Sequence, residues 1–178
     1  TRWLEQQDGR WFAWVHLFDP HVPYEAPDPF GARFPDEPYR GEVAYVDQAL
    51  GDVLDRLAEI GALDDTLIVL TADHGESLGE NGIYLHGLPY AMAPAEQTHI
   101  PMLLWLSDGL ARSAAIDTDC LQQEREHAFS HDNLFHSVLG LMNVQTNAYQ
   151  AGKDLFRLCQ PAGGGGKGVW GAMEPKTN

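Results

Sequence analysis

Residues 66–72 (TLIVLTA) constrain the fold more than any other stretch of this chain. They are mostly β-branched or apolar, with no polar alternation, which is the pattern of a strand covered on both faces in a parallel α/β sheet. The stretch before it has a different period. Over residues 42–63, Val43, Val46, Leu50, Val53, Leu57 and Ile60 recur at three- and four-residue steps among acidic and basic residues, which predicts an amphipathic helix. Gly61 stands where such a helix would stop. Upstream, residues 11–18 (WFAWVHLF) predict a further buried strand, ended by Pro20 and Pro23. Strand, helix and strand make a βαβ unit with the helix as crossover.

The remainder extends that plan. Residues 25–40 are rich in proline and charge and predict a surface loop. Residues 75–97, with repeated Gly and Pro, predict a long active loop. Residues 101–106 (PMLLWL) predict a third buried strand, and residues 132–142 an amphipathic helix with Leu134, Phe135, Val138, Leu139 and Met142 on one stripe. The Gly-rich stretch over 161–178 predicts a disordered tail beyond a domain spanning 1–160. The expected fold class is α/β, a three-layer sandwich around a mostly parallel central sheet.

Charge bounds the partners. Lys and Arg number 11 against 26 Asp and Glu, a formal net charge of −15, which argues against non-specific nucleic-acid binding, since that needs a basic face. An acidic surface gathers cations, although it equally serves solubility. No apolar run reaches the ~20 residues of a membrane span, and the first residues are polar. The chain begins with Thr1 and reads as part of a longer protein. Cys120 and Cys159 are either two free thiols or the ends of a disulfide; composition does not choose.

Chemistry concentrates at Asp73-His74-Gly75-Glu76, directly after the strand at 66–72. Ligands of open α/β sheets bind beyond the carboxyl ends of strands. An adjacent carboxylate and imidazole there offer one metal ion an oxygen and a nitrogen, both suited to zinc. Gly75 lets the backbone turn away at once. Read alone, the same four residues also describe an ordinary surface turn. His86 follows after a Gly-bounded loop, and His21 ends the strand expected at 11–18. If both strands share one sheet, His21, Asp73, His74 and His86 converge from three segments. His16 is expected to be a buried, satisfied histidine and His99 a mainly structural one, while His127, His131 and His136 lack ligand spacing and are expected on the surface. A phosphate-cradling GxxxxGK[ST] loop and a GxSxG elbow are both absent from the sequence.

The segment from Thr71 to Glu80 (TADHGESLGE) resembles the metal-binding segment shared by sulfatases and phosphoethanolamine transferases of the alkaline-phosphatase superfamily. Residues 81–106 and 130–141 (SHDNLFHSVLGL) resemble lipid A phosphoethanolamine transferases, the family of the mobile colistin-resistance enzymes; this likeness covers about residues 66–160. Over about residues 1–75, the stretches VHLFDPHVPY and YRGEVAYVD are instead similar to bacterial sulfatases.

The resemblance implies a zinc-dependent transferase. It would move phosphoethanolamine from a phosphatidylethanolamine donor to a lipid A acceptor through a phosphorylated threonine, conferring polymyxin resistance. It implies Asp73 and His74 as zinc ligands and His86 on the phosphate side, touching the phosphoryl group or a second zinc. His21 takes a matching catalytic role, and Glu76 stands behind the ligands. It further implies a Cys120–Cys159 disulfide and a periplasmic location at the inner membrane, anchored by spans outside this chain. The family's threonine nucleophile and a further acidic ligand have no counterpart here, and the sulfatase CxPxR pattern is missing, so the chain alone is expected to be weak or inactive. The alternatives are a sulfatase-type hydrolase, which would hold calcium, and a non-catalytic remnant of the fold.

Overall fold

The computed structural model describes residues 2–7, 9 and 11–161. The disordered tail expected over 161–178 lies outside them but for Pro161. The chain divides into two compact units, residues 1–63 and 64–178.

The first unit is built on one long helix. After the short α1 (Phe30–Arg33), α2 runs from Pro38 to Glu59. It starts four residues before the expected point because Pro38 sits at its first turn, where a missing N–H costs nothing. The stripe is as expected in its middle: Val46, Leu50 and Val53 are half-buried and Leu57 is buried. Gly61 has a φ of +70° just beyond the helix end, the left-handed conformation that stops helices. Tyr24 packs edge-on against Tyr39 of α2, with centroids 5.4 Å apart, and Phe30 meets Tyr45 at 5.6 Å.

The strand expected at 11–18 is not formed. The segment is irregular and exposed, with Trp14 83% accessible, and His16 is exposed rather than buried. Aromatic and β-branched residues favour strands only where a pleated, half-buried surface receives them. No strand among the described residues pairs with this segment.

The second unit carries the expected strands as β1 (Leu67–Thr71) and β4 (Met102–Leu106), separated by the two-residue strands β2 (Ser77–Leu78) and β3 (Tyr84–Leu85) and the short α3 (Ala95–Thr98). The pairing differs from the expected plan. β1 and β4 are antiparallel, with Leu67 opposite Leu106 and Thr71 opposite Met102, and no parallel pair occurs among the described residues. A continuous apolar run reports burial demand, not strand direction. Here the demand is only partly met, since Leu103, Leu104 and Trp105 of β4 remain exposed.

The core gathers at one end of this sheet. After β4 the chain forms α4 (Asp108–Ser113), α5 (Thr118–Glu124), α6 (His131–Leu141) and α7 (Leu155–Leu158). Ala114, Ile116 and Phe156 form a buried cluster, with Leu67, Leu106, Leu121 and Leu141 packed against it. Leu67 and Leu106 are register partners, so the core anchors the start of β1 and leaves its carboxyl end for the residues that follow. Cys120 and Cys159 are joined by a disulfide with Cα atoms 5.5 Å apart.

α6 begins at a capping box between Ser130 and Asn133. Its buried face is more polar than the stripe implied. Phe135 is exposed, whereas His136 and Ser137 are buried. Each has a partner that makes burial tolerable: the Gln150 N–H donates to His136 Nδ1 (3.2 Å), and the Leu155 N–H to Ser137 Oγ (2.8 Å). His136 is therefore an internal acceptor, not the surface residue expected.

The buried Asp154 caps α7, accepting from the Phe156 and Arg157 N–H groups, and also accepts from the Tyr149 hydroxyl at 2.7 Å. Burial and the bond to Asp154 push the Tyr149 phenol up to about 12. Because that value lies above the ordinary one of 10, the stabilisation is complete below pH 10 and is lost as the pH rises to about 12. We expect Tyr149→Phe to cost about 1–2 kcal/mol at neutral pH. The gap from the parent should narrow in urea titrations carried from pH 8 through the window between 10 and 12; a gap constant with pH would refute the assignment.

Candidate functional site

The polypeptide leaves β1 at Thr71, whose hydroxyl donates to the Pro101 carbonyl at 2.9 Å, and turns at once through Asp73-His74-Gly75-Glu76 into β2. The turn is pinned at both ends. His131, the first residue of α6, donates from Nε2 to the Ala72 carbonyl at 2.8 Å, and the Gly75 N–H donates to the Gln97 carbonyl at 3.0 Å. Gly75 serves a purpose other than the expected sharp turn: a Cβ there would fall far inside contact distance of the Glu96 carbonyl oxygen.

Within this frame Asp73, His74, Glu76 and His86 come together. The His74 N–H donates to Asp73 Oδ1 at 3.0 Å, and His74 Nε2 lies 3.8 Å from Asp73 Oδ2. The β2–β3 hairpin, with Ser77 opposite Leu85 and Leu78 opposite Tyr84, brings His86 back beside the turn. Its ring stacks on His74 with centroids 3.8 Å apart and planes 30° from parallel. Glu76, whose side chain is only 8% exposed, receives His86 Nδ1 at 3.2 and 3.3 Å from its two oxygens.

These contacts decide which nitrogens can coordinate. His74 Nδ1 donates to the Gly75 carbonyl at 2.9 Å and His86 Nδ1 donates to Glu76. In the neutral rings the lone pair therefore sits on Nε2 in both. A carbonyl or carboxylate behind the imidazole is the arrangement found behind metal-bound histidines. The Asp73 carboxylate, 84% exposed, is open to a ligand. Zinc bonds to nitrogen and oxygen at about 2.0–2.2 Å, so donors up to roughly 4 Å apart can share one ion; the 3.8 Å between His74 Nε2 and Asp73 Oδ2 fits. A group of three such side chains arranged to hold an ion does not occur among the described residues. The fit is therefore that of the Asp73–His74 pair with His86 adjoining.

His21 belongs to the first unit. The strand expected to deliver it is missing, and a buried carboxylate holds its loop instead. Glu42 of α2, 2% exposed, accepts from the His21 N–H at 2.9 Å and the Glu25 N–H at 2.7 Å. The His21 ring lies against Phe18, with centroids 4.4 Å apart, and its Nδ1 donates to the Val22 carbonyl. His99 is exposed at the end of α3, and His127 pairs with Glu124. Beside His131, Asp132 bonds Lys153 at 3.0 Å, which holds its carboxyl below the usual range.

Sequence reasoning missed Glu42, Gln97 and the contact of His131. Only Glu42 left a signal, as an acidic side chain just inside a helix whose neighbour Gly41 is also buried. Gln97 and His131 act on backbone carbonyls distant in sequence, which no local pattern reveals.

The sulfatase family matches residues 1–144. Phosphoethanolamine transferase EptA of Escherichia coli strain K12 is 46% identical over 123 residues, covering 68% of this chain and 22% of that protein. Phosphatidylethanolamine transferase Mcr-2 of Escherichia coli is 34% identical over 106 residues, covering 60% and 18%. Among solved structures, the integral membrane protein lipooligosaccharide phosphoethanolamine transferase A (EptA) from Neisseria meningitidis superposes with a TM-score of 0.63 at 42% identity, covering 70% of this chain and 24% of that one. The chain thus spans about a fifth of the length of these curated relatives. No helix among the described residues is long and apolar enough to cross a membrane. The match over residues 1–144, joined to homology with EptA- and Mcr-type transferases, shows that this chain belongs to the sulfatase family.

Proposed function

We propose that the chain is part of the catalytic domain of a zinc-dependent phosphoethanolamine transferase that takes phosphoethanolamine from phosphatidylethanolamine and passes it to lipid A. The observation that carries this reading is the cluster of Asp73, His74 and His86, with both Nδ1 atoms held as donors, in a segment shared with transferases. The acceptor draws support from the lipooligosaccharide named for the Neisseria protein, and the donor from the phosphatidylethanolamine named for Mcr-2. A role in polymyxin resistance and a place at the periplasmic face of the inner membrane belong to the same proposal. So does a mostly parallel three-layer sheet in the longer domain.

Asp73 Oδ2 and His74 Nε2 would hold the zinc, with His86 alongside. When bound, the ion supplies a lowered nucleophile pKa and offsets charge on the phosphoryl oxygens. His86 Nε2 contacts a phosphoryl oxygen, and Glu76 fixes the ring that presents it. For His21, whose backbone N–H is held by Glu42, a phosphoryl-contacting role is supported by the resemblance alone. Thr71 is engaged with the Pro101 carbonyl and is no candidate for the threonine nucleophile. The purified chain by itself should therefore turn over a phosphoethanolamine donor weakly or not at all.

The test is a zinc titration of the metal-stripped chain beside the Asp73→Ala, His74→Ala double variant. Tight binding that the double variant loses supports the reading, and equal affinities refute it. A sulfatase-type hydrolase is the second reading, favoured by the family match over residues 1–144. It predicts preference for calcium, which takes oxygen ligands, whereas two imidazoles favour zinc.

A further inference from the structure

Gln97, on α3, is a polar side chain with only 6% of its surface exposed. Its Nε2 donates to two acceptors at 3.0 Å each, Ser77 Oγ and the Leu85 carbonyl, so both amide protons are used. Its backbone carbonyl accepts from the Gly75 N–H at 3.0 Å, a bond that a change of side chain leaves in place. Gly75 and Ser77 flank Glu76, and Leu85 precedes His86. One residue therefore grips the chain on both sides of the carboxylate and immediately before the imidazole that it holds.

The β2–β3 ladder cannot do this alone. It pairs only two residues with two, and isolated two-stranded ladders are marginal in water. Ser77, 1% exposed, is one of the paired residues of the ladder and sets its hydroxyl against the Gln97 amide. Without that amide, the buried Ser77 hydroxyl and the part-buried Leu85 carbonyl lose this donor, and the hairpin relaxes toward water to recover one.

We propose that Gln97 is a positioning residue: it keeps Glu76 opposite His86, and so holds the His86 ring against His74 with its lone pair on Nε2. This rests on the reading of Asp73, His74 and His86 as a metal and phosphoryl site. Gln97 touches neither substrate nor metal and acts through the hairpin.

The test uses the full 178-residue chain and Gln97→Met, which keeps the length and removes both donors. The first readout needs no metal. Imidazole proton–nitrogen spectra, with His86 assigned through His86→Gln, report which ring nitrogen carries the proton. The parent should show the Nδ1–H form, and Gln97→Met should shift His86 toward a mixture while His136 in the core keeps its signals. The second readout is cobalt titration followed by visible absorption, in which Gln97→Met should weaken binding about 10- to 100-fold. Ser77→Ala removes one of the two acceptors and should move both readouts part of the way, which keeps the inference testable if Gln97→Met does not fold. Parent-like His86 spectra in Gln97→Met, with cobalt affinity within about twofold, would overturn it. Should the parent bind cobalt no better than the Asp73→Ala, His74→Ala double variant, the metal reading fails, and the His86 spectra still decide the role of Gln97.

Discussion

Gly75→Ala should cost about 3 kcal/mol of stability and with it the metal affinity of the Asp73–His74 turn. The added methyl would overlap the Glu96 carbonyl oxygen and stand 3.0 Å from the carbonyl carbon and 3.3 Å from that of Gln97. These are backbone atoms, so no side-chain rotation relieves the overlap. Gly75 is not among the glycines with positive φ, so the penalty is one of space rather than backbone conformation. Relief requires α3 and the turn to separate, breaking the 3.0 Å bond from the Gly75 N–H to the Gln97 carbonyl. Urea unfolding and zinc titration of the variant measure both effects. A variant matching the parent in both would show that the two segments are not pressed together as described.

Removing the disulfide should cost still more. Cys120 and Cys159 are 39 positions apart, and a covalent loop of that size contributes roughly 4 kcal/mol by restricting the unfolded chain. The buried Cys159 also lies where the Asp117 N–H meets its carbonyl at 2.8 Å and Gln160 reaches the Ala114 carbonyl at 3.0 Å. The bond therefore ties α5 to the segment after α7 at the edge of the Ala114–Ile116–Phe156 cluster. Urea titrations of the parent with and without reductant, and of a Cys120→Ser, Cys159→Ser variant, should show the same loss. Unchanged midpoints would mean that the loop is already constrained without its link.

The elements that were legible in the sequence are those specified locally. α2 and α6 announce themselves by a 3.6-residue period, and β1 and β4 by short apolar runs, because each pattern is a property of neighbouring residues. Strand direction is not such a property, and the antiparallel pairing of β1 with β4 departs from the βαβ plan. The segment over 11–18 has the composition of a strand without a partner among the described residues. In the site, Asp73, His74 and His86 could be named from residue type and position, and Glu76 from adjacency. The parts that fix their geometry could not. Gln97, His131 and Glu42 work through bonds to backbone groups between 12 and 59 positions away. His136 shows the same limit, being buried on the strength of one acceptor bond rather than of its hydropathy.

The brevity of β2 and β3 sets an order in which the second unit comes apart. Two residues per strand give the hairpin few protected amides, while the cluster around Phe156 is held by packing and by a covalent link. Local opening of the His86 arm is therefore the lowest-energy excursion available around the site, well below global unfolding. Amide exchange at Leu78 and Tyr84 should run orders of magnitude faster than at Ala114 or Ile116. On warming, the arm that carries His86 should come loose while the far end of the sheet still holds.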